Sequence, residues 1–368
     1  MASDGEIVVG DALEAGTGAR IILPAPGLEQ GAAMLLEAAG AASDDAALVA
    51  RSLLDADLCG HPSHGLLRLP DYLNEIRSRR IQVRARPRVV RRSRSTLLLD
   101  GAWSFGQVAL AQGVSEAVAL AEGSGVGLVG VVRSNHCGRL GFWAERMAAA
   151  GAWGLLCTSY DCGPYEVAPY GGTNASLGTN PLAYAVPRPE GAPIVGDFAT
   201  SEVAAGKLLV AQQRGEAAPE GALLDHAGSP TRSVDAFFAG GALRAFGGHK
   251  GSALALFVDL LSVCLTDSVS WSSRRPEGFG ASVLAIAPNV FSGAEEVGTR
   301  VEETVTRILA TRPEDPAHPV ELPGDRERRH RTAAGRIELA AETWNAICDA
   351  AQRLDVKEAL EISVQRER

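Results

Sequence analysis

The chain has 368 residues, a formal net charge of −9 at pH 7, 46% hydrophobic residues and 41 glycines. A chain of this length can bury a large core and is compatible with two domains, and so many glycines predict many tight turns. The acidic balance argues against non-specific nucleic-acid binding, because neutralising phosphates requires clustered Lys and Arg. Residues 77–94 are an Arg-rich exception, which we interpret as solvated strands and their turns.

The N-terminal residues MASDGEIVVGDALEAG lack a basic region and include Asp4 and Glu6, so we expect no signal peptide. Residues 1–20 are instead predicted to form a loose tail. No apolar run reaches the ~18–20 residues needed to span a bilayer, so no membrane association is expected. The six cysteines form no C-x-x-C pair and fit no zinc template, which predicts reduced thiols, no metal site and a cytoplasmic location.

The first predicted element is a helical pattern over residues 27–58, with Ser43 as a candidate N-cap. A second helix is predicted over residues 107–122, ended by Gly123 and Gly125. Further strands are predicted at 127–132, 153–158, 182–186, 194–198 and 282–287, and further helices at 140–150, 201–214, 251–266, 294–310 and 337–354. Strands interspersed with helices predict an α/β protein.

Residues 125–130 read GVGLVG and match the G-x-G-x-x-G pattern of dinucleotide-binding folds. That pattern needs a strand before the glycines and a helix after them, so that the pyrophosphate meets the helix N-terminus. Here the order is reversed, because a helix ends in these glycines and a strand begins. We therefore interpret them as a helix end before a buried strand, and expect any nucleotide to bind elsewhere.

The sequence HPSHGLLRLP, residues 61–70, is the first candidate for chemistry. His64 can transfer a proton near neutral pH, and Arg68 can hold a carboxylate with two parallel hydrogen bonds. On a helical turn their spacing places both side chains on one face. The pair suits a 2-oxo acid, although a capped loop with a solvated Arg explains the residues more simply. A metal site at His61 and His64 is a weaker alternative.

Two polar segments follow predicted strands. Ser134, Asn135 and His136 offer hydrogen-bond donors and acceptors at a strand end, where α/β proteins place ligand groups. Helix capping by Ser134 or Asn135 is the alternative interpretation. Residues 169–181, PYGGTNASLGTNP, can present backbone N–H groups to phosphate oxygens, but they can also form ordinary turns.

Asp197 ends a predicted strand and could orient a histidine, although it could instead cap the helix that begins near Ser201. In FGGHKGSALALFVDLL, residues 246–261, Lys250 lies at the start of a predicted helix. A Lys beside free N-terminal amides opposes the helix dipole unless an anion binds there. Lys250 therefore favours a phosphate-binding site.

In this order and spacing, these segments resemble the type 2 malate/L-lactate dehydrogenase family over residues 28–354. The most specific pieces are SHGLLRLPDY, VRSNHCGRLGFWAERMAAAG, APYGG with LGTNPLAYAVP, DFATSEVAAGK with RGE and PEG, and GGHKG. The resemblance implies an NAD- or NADP-dependent oxidoreductase that acts on a small 2-oxo or 2-hydroxy acid and works as a homodimer.

The resemblance also implies a non-Rossmann α/β fold, with a large mixed, mostly antiparallel sheet, flanking helices and a helical domain from both chain ends. The expected domains are residues 21–122 with 326–368 on the substrate side, and residues 123–325 for the cofactor. The implied catalytic residues are His64 as the leading proton donor or acceptor, Ser63 beside it, His136 as a second candidate, and Asp197 as the acidic partner. The implied substrate contacts are Arg68 and Tyr72, and the implied cofactor contacts are Gly178, Thr179, Asn180, His249, Lys250, Gly324, Asp325 and Arg326.

The chain departs from the family pattern at three places. His249 stands where relatives usually have Tyr, Cys137 stands where they usually have Phe, and the stretch after Asp267 is short. These departures leave the substrate open, and a cyclic 2-imino acid is the alternative to a 2-oxo acid. A non-catalytic metabolite- or nucleotide-binding protein is a further alternative, disfavoured because His64 and Arg68 are both present.

Overall fold

The computed structural model describes residues 20–213, 215–275, 278–333 and 335–365. The predicted loose tail, residues 1–20, lies outside these ranges except for Arg20, where the first strand begins.

The described ranges contain strands and helices along their whole length. The strands are β1 (Arg20–Pro24), β2 (Arg88–Arg92), β3 (Thr96–Asp100), β4 (Val126–Ser134), β5 (Trp153–Tyr160), β6 (Val167–Ala168), β7 (Leu182–Val186), β8 (Ile194–Phe198), β9 (Leu223–Leu224), β10 (Pro230–Thr231), β11 (Ala242–Arg244), β12 (Phe279–Ile286) and β13 (Arg336–Ala340). The helices are α1 (Ala25–Ala38), α2 (Ser43–Leu58), α3 (Leu69–Arg77), α4 (Gly106–Ser124), α5 (Leu140–Ala149), α6 (Ala205–Gln213), α7 (Val234–Phe238), α8 (His249–Asp259), α9 (Ser268–Ser272), α10 (Ala294–Leu309), α11 (Asp325–Ala333), α12 (Ala341–Arg353) and α13 (Lys357–Gln365).

A seven-stranded sheet, in the order β2-β3-β4-β12-β5-β7-β8, forms the centre of the fold. β3 and β4 are parallel and are joined by α4, whereas the other neighbouring pairs are antiparallel. α4 and α5 pack on one face of the sheet around the fully buried Trp143, and α8 packs on the opposite face. This arrangement confirms the predicted α/β class with a large mixed, mostly antiparallel sheet.

The two chain ends come together outside the large sheet. β1 pairs antiparallel with β13, and α1, α2, α12 and α13 share one apolar core with these strands. The predicted helical layer built from both chain ends is therefore present, while the proposed domain boundaries stay a prediction. The predicted helix over residues 337–354 is wrong at its start, because Ile337 and Leu339 are buried while Arg336 and Glu338 are exposed, the two-residue alternation of a strand.

The helical pattern over residues 27–58 forms two helices rather than one. Gly40 separates α1 from α2 with a φ of 101°, and its N–H donates to the carbonyl oxygen of Glu37 at 2.8 Å. A left-handed residue of this kind ends a helix, and glycine adopts it without strain. Ser43 is the first residue of α2 and makes no side-chain cap, so the predicted N-cap is also wrong.

Two other predicted helices have different limits in the structure. α6 begins at Ala205 instead of residue 201, and the predicted end at Arg214 lies outside the described residues. α8 begins two residues earlier than predicted, and a π-helical turn, Leu260–Cys264, follows its last residue.

The interpretation of GVGLVG as a helix end before a buried strand is confirmed. Gly125 ends α4 with a φ of 83°, and β4 begins at the next residue. A Cβ atom at Gly127 would overlap the carbonyl oxygen of Ala117 in α4. The glycine at this position therefore allows α4 to lie close against the sheet.

The cysteines and the helices of the described residues form neither a disulfide nor a bilayer-spanning helix. All six cysteines are free thiols. Within the described ranges, no helix combines the length and the apolar character needed to cross a bilayer. In the same ranges, no group of three or more His, Cys, Asp or Glu side chains is placed to hold a metal ion.

Candidate active site

A cavity of about 660 Å³ lies beside the large sheet, at one end of its strands. β4, β5 and β8 end on this side. β12 and β7 run antiparallel to these strands and therefore begin on this side, β12 with Phe279. Loops that follow strand ends supply many of the cavity residues. The cavity brings together eight of the predicted site residues: Ser63, His64, Arg68, Tyr72, His136, Thr179, Asn180 and Asp197.

The loop that carries Ser63 and His64 is held in place by Asp57 at the end of α2. The backbone N–H of Leu66 donates to Asp57 Oδ2 at 2.7 Å, and a Cβ atom at Gly65 would overlap the same carboxyl group. Gly65 is therefore needed for the loop to close over Asp57. Burial raises the pKa of Asp57 to about 7, against the smaller opposing effect of the Leu66 hydrogen bond.

Ser63, His64 and Arg68 contact one another within this loop. Ser63 Oγ lies 3.1 Å from His64 Nδ1, and Arg68 Nε donates to the Ser63 carbonyl oxygen at 2.8 Å. Because His64 Nδ1 is occupied in this way, Nε2 is the nitrogen left for a ligand. The Ser63 contact also holds one side of the Arg68 guanidinium, while Arg68 Nη1 lies 3.5 Å from the exposed carboxylate of Asp71.

The loop with Ser134, Asn135 and His136 is fixed by its backbone surroundings. Asn135 Nδ2 donates to the carbonyl oxygens of Trp103 at 2.9 Å and Ser104 at 2.7 Å. Asn135 therefore binds this loop to the segment before α4, rather than capping a helix. His136 Nδ1 lies 2.6 Å from Tyr72 Oη, within hydrogen-bond distance, and the Gly138 N–H is directed at the same nitrogen from 3.4 Å.

The rings of His64 and His136 are stacked, with centroids 5.4 Å apart and planes inclined by 28°. Burial, and then the positive charge of Arg68, lower the pKa of His64 to about 3. The same two causes lower the pKa of His136 well below its usual value. Both imidazoles are therefore neutral near pH 7, and a charge on one opposes a charge on the other.

Asp197 reaches the cavity from the end of β8 but makes no hydrogen bond to either histidine among the described residues. Its Oδ2 accepts a 2.6 Å hydrogen bond from the Gly141 N–H at the start of α5. Burial raises the pKa of Asp197, and the charge of Arg139 opposes that rise. Arg139 itself is 4% exposed and pairs with Asp55 at 2.8 Å and Glu145 at 2.9 Å.

The start of α6 closes one side of the cavity. Residues 203–207 line it, and a Cβ atom at Gly206 would lie 2.5 Å from Ser63 Cβ and 3.5 Å from Arg68 Nη2. The first turn of α6 therefore packs directly against the Arg68 guanidinium. Backbone N–H groups at a helix start attract anions, and exposed Lys207 adds a positive charge at the cavity mouth.

The loop Gly178–Asn180 connects the cavity to α8. Asn180 Nδ2 donates to the Ala255 carbonyl oxygen at 2.8 Å, and Asn180 Oδ1 accepts from Ser159 Oγ at 2.9 Å. The Thr179 carbonyl oxygen accepts from the backbone N–H and the hydroxyl of Thr200, both at 2.9 Å. The Asn180 amide therefore fixes the loop and is not free to bind a ligand. The groups of the loop that can contact a ligand are mainly its backbone and the Thr179 side chain.

His249 and Lys250 lie at the start of α8, outside the cavity, and both are exposed. Gly247, just before them, has a φ of 55°, and a side chain there would meet nothing within 4 Å. Tyr170 stacks edge-on against His249 with ring centroids 5.8 Å apart. Open space therefore lies in front of this helix start.

Gly324, Asp325 and Arg326 lie outside the cavity, beyond the other end of β8. The Val195 N–H donates to the Pro323 carbonyl oxygen at 3.0 Å, and the Asp325 carboxylate accepts from the Leu322 N–H and from Arg328. The next residue along α11, Glu327, lies 3.2 Å from His61 at the cavity rim. α11 therefore links this segment to the His64 loop.

Several cavity residues were not predicted as site residues by the sequence analysis. They include the buried Arg139 and Lys207 in the first turn of α6, which lie within the quoted family segments but were given no role there. Glu166, Tyr160 and Phe279 also line the cavity, and the two aromatic rings are packed with centroids 4.5 Å apart. Burial raises the pKa of Glu166, and the charge of Arg68 opposes that rise.

Comparisons with known proteins agree with one another. The family model described as malate/L-lactate dehydrogenase matches residues 23–348. The chain is 34% identical over 330 residues to hydroxycarboxylate dehydrogenase B of Escherichia coli O157:H7, covering 87% of this chain and 90% of that one. It is 40% identical over 265 residues to the (2R)-3-sulfolactate dehydrogenase (NADP(+)) of Chromohalobacter salexigens, covering 70% and 78%. The crystal structure of delta1-piperideine-2-carboxylate reductase from Pseudomonas syringae pvar. tomato matches with a TM-score of 0.79 and 30% identity, covering 89% and 99%.

Proposed function

The chain belongs to the malate/L-lactate dehydrogenase family, and from this premise we propose that it transfers a hydride between NADH or NADPH and a small 2-oxo or 2-hydroxy acid. The observation that carries the proposal is the cavity in which a cation, Arg68, lies beside two stacked neutral histidines. A cation to hold a carboxylate and a group to transfer a proton are what this reaction requires of the protein.

The residues present fit a nicotinamide dinucleotide. Thr179 and Asn180 line the cavity, directly after Gly178, and Asn180 is hydrogen-bonded to α8. The open, glycine-lined start of α8 with Lys250 suits a pyrophosphate. We assign Gly178, Thr179 and Asn180 to the half of the cofactor at the cavity, and His249 and Lys250 to its phosphates. Gly324, Asp325 and Arg326 are assigned to the remaining part of the nucleotide.

When bound, the reduced nicotinamide supplies a hydride to the carbonyl carbon. Arg68 holds the substrate carboxylate, because its guanidinium can donate two parallel hydrogen bonds and lies beside the first turn of α6, where a helix start attracts anions. Tyr72 closes the pocket behind His136. The contact between Arg68 and the carboxylate positions the substrate carbonyl carbon, and this lowers the entropic barrier to hydride transfer.

His64 is proposed to exchange the proton with the substrate oxygen. Its Nδ1 contacts Ser63 Oγ, so Nε2 is directed to the ligand, and proton transfer by a positioned His contributes about 10²–10⁴-fold to the rate. Asp197 contributes at a distance. Its carboxyl interacts with the charge of Arg139 and accepts a hydrogen bond at the start of α5, so it acts on the electrostatics of the site without contacting His64. Ser63 orients the imidazole of His64.

Reduction of a cyclic 2-imino acid is the second candidate function. The relative from Pseudomonas syringae is named for such a reaction, and Tyr160 and Phe279 give this cavity an aromatic wall, with ring planes inclined by 39°, that suits contact with a ring. Glu166 lies in the same cavity and could pair with a protonated imine.

We also propose that the protein works as a homodimer. Leu256, Phe257, Leu260 and Leu265 are about half exposed or more on α8 and the turn after it, and contiguous exposed apolar residues mark association surfaces. Light scattering at micromolar concentration should give twice the chain mass, and a monomer would contradict this proposal.

A substrate screen tests the proposed activity. Purified protein is offered 2-oxo monocarboxylates, 2-oxo dicarboxylates, 3-sulfo-2-oxo acids and cyclic 2-imino acids with each cofactor, and the absorbance of the reduced nicotinamide is followed. We expect turnover with at least one class, and a large loss in His64→Ala. Turnover of none of these classes, in protein that binds neither cofactor, would contradict the proposal.

A further inference from the structure

The side chain of Gln107 lies behind the active-site cavity and is not among the residues that line it. Gln107 is the second residue of α4 and is completely buried. Its Nε2 donates to Tyr72 Oη at 2.9 Å, while its Oε1 is buried without a hydrogen-bond partner among the described residues. The side chain therefore makes one directed contact, to the phenol that in turn contacts His136.

The start of α4 is built closely against the His136 loop. A Cβ atom at Gly106 would overlap the backbone carbonyls of Asn135 and His136, so the helix can approach this loop only with glycine there. Asn135 Nδ2 then binds the residues just before α4. These contacts fix the position of Gln107 relative to His136 before any ligand binds.

Gln107, Tyr72 and His136 are linked by consecutive hydrogen bonds, and the direction of each bond follows from the groups that can only donate. An amide NH₂ only donates, so Gln107 occupies a lone pair of Tyr72 Oη and leaves the phenol proton free to be donated. The phenol then donates to His136 Nδ1 at 2.6 Å. The Gly138 N–H, which also can only donate, points at the same nitrogen from 3.4 Å.

Two donors directed at Nδ1 determine the protonation of the ring. His136 Nδ1 must be a lone pair, so the neutral imidazole carries its hydrogen on Nε2. A proton on Nδ1 would face the Gly138 N–H and would require the Tyr72 hydroxyl to reverse against Gln107. Tyr72 does not lose its proton instead, because burial raises the pKa of its phenol.

We propose that Gln107 is a positioning residue, which acts through Tyr72 to hold His136 as the Nε2–H tautomer. His136 is then a fixed hydrogen-bond donor to the substrate, and the stacked His64 is left as the group that gains and loses a proton. The catalytic part of this inference rests on the proposed function, whereas the tautomer is a property of the free protein.

The experiment uses ¹⁵N-histidine-labelled protein and the nitrogen shifts of His136, assigned with the variant His136→Gln. We expect a neutral ring with Nε2 protonated at pH 7. In Gln107→Met, which keeps the length of the side chain, we expect part of the population to shift to the Nδ1–H tautomer. We also expect kcat to fall roughly tenfold with a small change in KM, the size of effect of losing one hydrogen bond. Gln112→Met, on the same helix and partly exposed, is the matched control and should change neither quantity.

Each outcome decides one part of the inference. An Nδ1–H or doubly protonated ring in the parent protein would overturn it, as would an unchanged tautomer and kcat in a folded Gln107→Met variant. If Gln107→Met does not fold, Gln107→Leu gives the same test, because it also removes the donor to Tyr72 Oη and leaves Tyr72 in place. If the tautomer shifts as expected but no substrate class is turned over, the proposed function fails and the assignment of Gln107 stands.

Discussion

Replacing Asp57 by Asn should change how the stability of the protein depends on pH. Burial raises the pKa of this carboxyl from 3.8 to about 7, so the folded protein binds the proton more tightly than the unfolded chain does. The stability contribution of this group is therefore fully present below pH 3.8 and is lost as the pH rises through about 7. The side chain introduced by Asp57→Asn has no charge to bury and still offers an oxygen to the Leu66 N–H.

The pKa shift sets the size of the effect. At about 1.4 kcal/mol for each tenfold change in proton affinity, a rise from 3.8 to about 7 corresponds to at most about 4 kcal/mol. At pH 4 the parent carries a neutral carboxyl whose O–H resembles the Asn amide, so the two proteins should have similar free energies of unfolding. At pH 8 the Asp57→Asn variant should be more stable, by up to that amount.

Urea unfolding followed by circular dichroism at half-unit steps from pH 4 to pH 8 measures this difference. The control is Asp44→Asn, at an exposed position in the first turn of the same helix. Its free energy of unfolding relative to the parent should not rise between pH 4 and pH 8. A difference between Asp57→Asn and the parent that stays constant over the whole pH range would refute the reasoning. Because Asp57 closes the His64 loop, kcat should also be compared at pH 8, where the parent is expected to be the less rigid protein.

Four further predictions concern ligand binding. Arg68→Lys keeps the charge but loses the planar fork, so KM for a carboxylate substrate should rise by about tenfold or more while kcat changes little; a proportionate loss of kcat would place Arg68 in the chemical step. Lys250→Ala should weaken NADH or NADPH binding in calorimetry, and an undiminished affinity would remove Lys250 from the cofactor site. Gly206→Ala should raise KM, because the new Cβ would lie 2.5 Å from Ser63 Cβ, whereas Gly123→Ala, with open space around it, should not; equal KM values would count against contact between α6 and the Arg68 loop. Binding of a non-reducible 2-substituted carboxylate should be accompanied by uptake of a proton at His64, which is measured as a binding enthalpy that depends on the buffer. A binding enthalpy that is the same in all buffers would argue against protonation of His64.

The sequence predicted β7 and β8 to the residue, because alternating or short apolar runs between turn residues are typical of strands. It placed the start of β13 in a helix, because this five-residue segment runs without a break into α12. Its two buried residues, Ile337 and Leu339, alternate as in a strand, and the pairing of the segment with β1 stabilises that structure. Long-range pairing of chain ends lies beyond any pattern within one segment.

The candidate site shows the same limit. His64, Arg68 and His136 lie in motifs whose residue types indicate their chemistry, and the fold brings them into one cavity. Gln107 stands in an apolar helix with no motif around it, and only the distances to Tyr72 and, through it, His136 give it a role. Asp197 was expected to act on a histidine, but in the structure its carboxylate accepts from the start of α5. Sequence patterns therefore identified the groups that we propose to react, and missed Gln107, which we propose to position one of them.

We expect the two histidines to respond differently to a bound carboxylate, although the charge of Arg68 lowers the pKa of both. A carboxylate on Arg68 would neutralise that charge and so favour protonation near it. His136 cannot respond at Nδ1, because the Gly138 N–H and the Tyr72 hydroxyl are both directed at that nitrogen. His64 has only the adjustable Ser63 hydroxyl on its Nδ1, which can donate to a lone pair or accept from an N–H. Substrate binding would therefore create the proton donor at His64 alone, at the moment when the oxygen that needs the proton is in place.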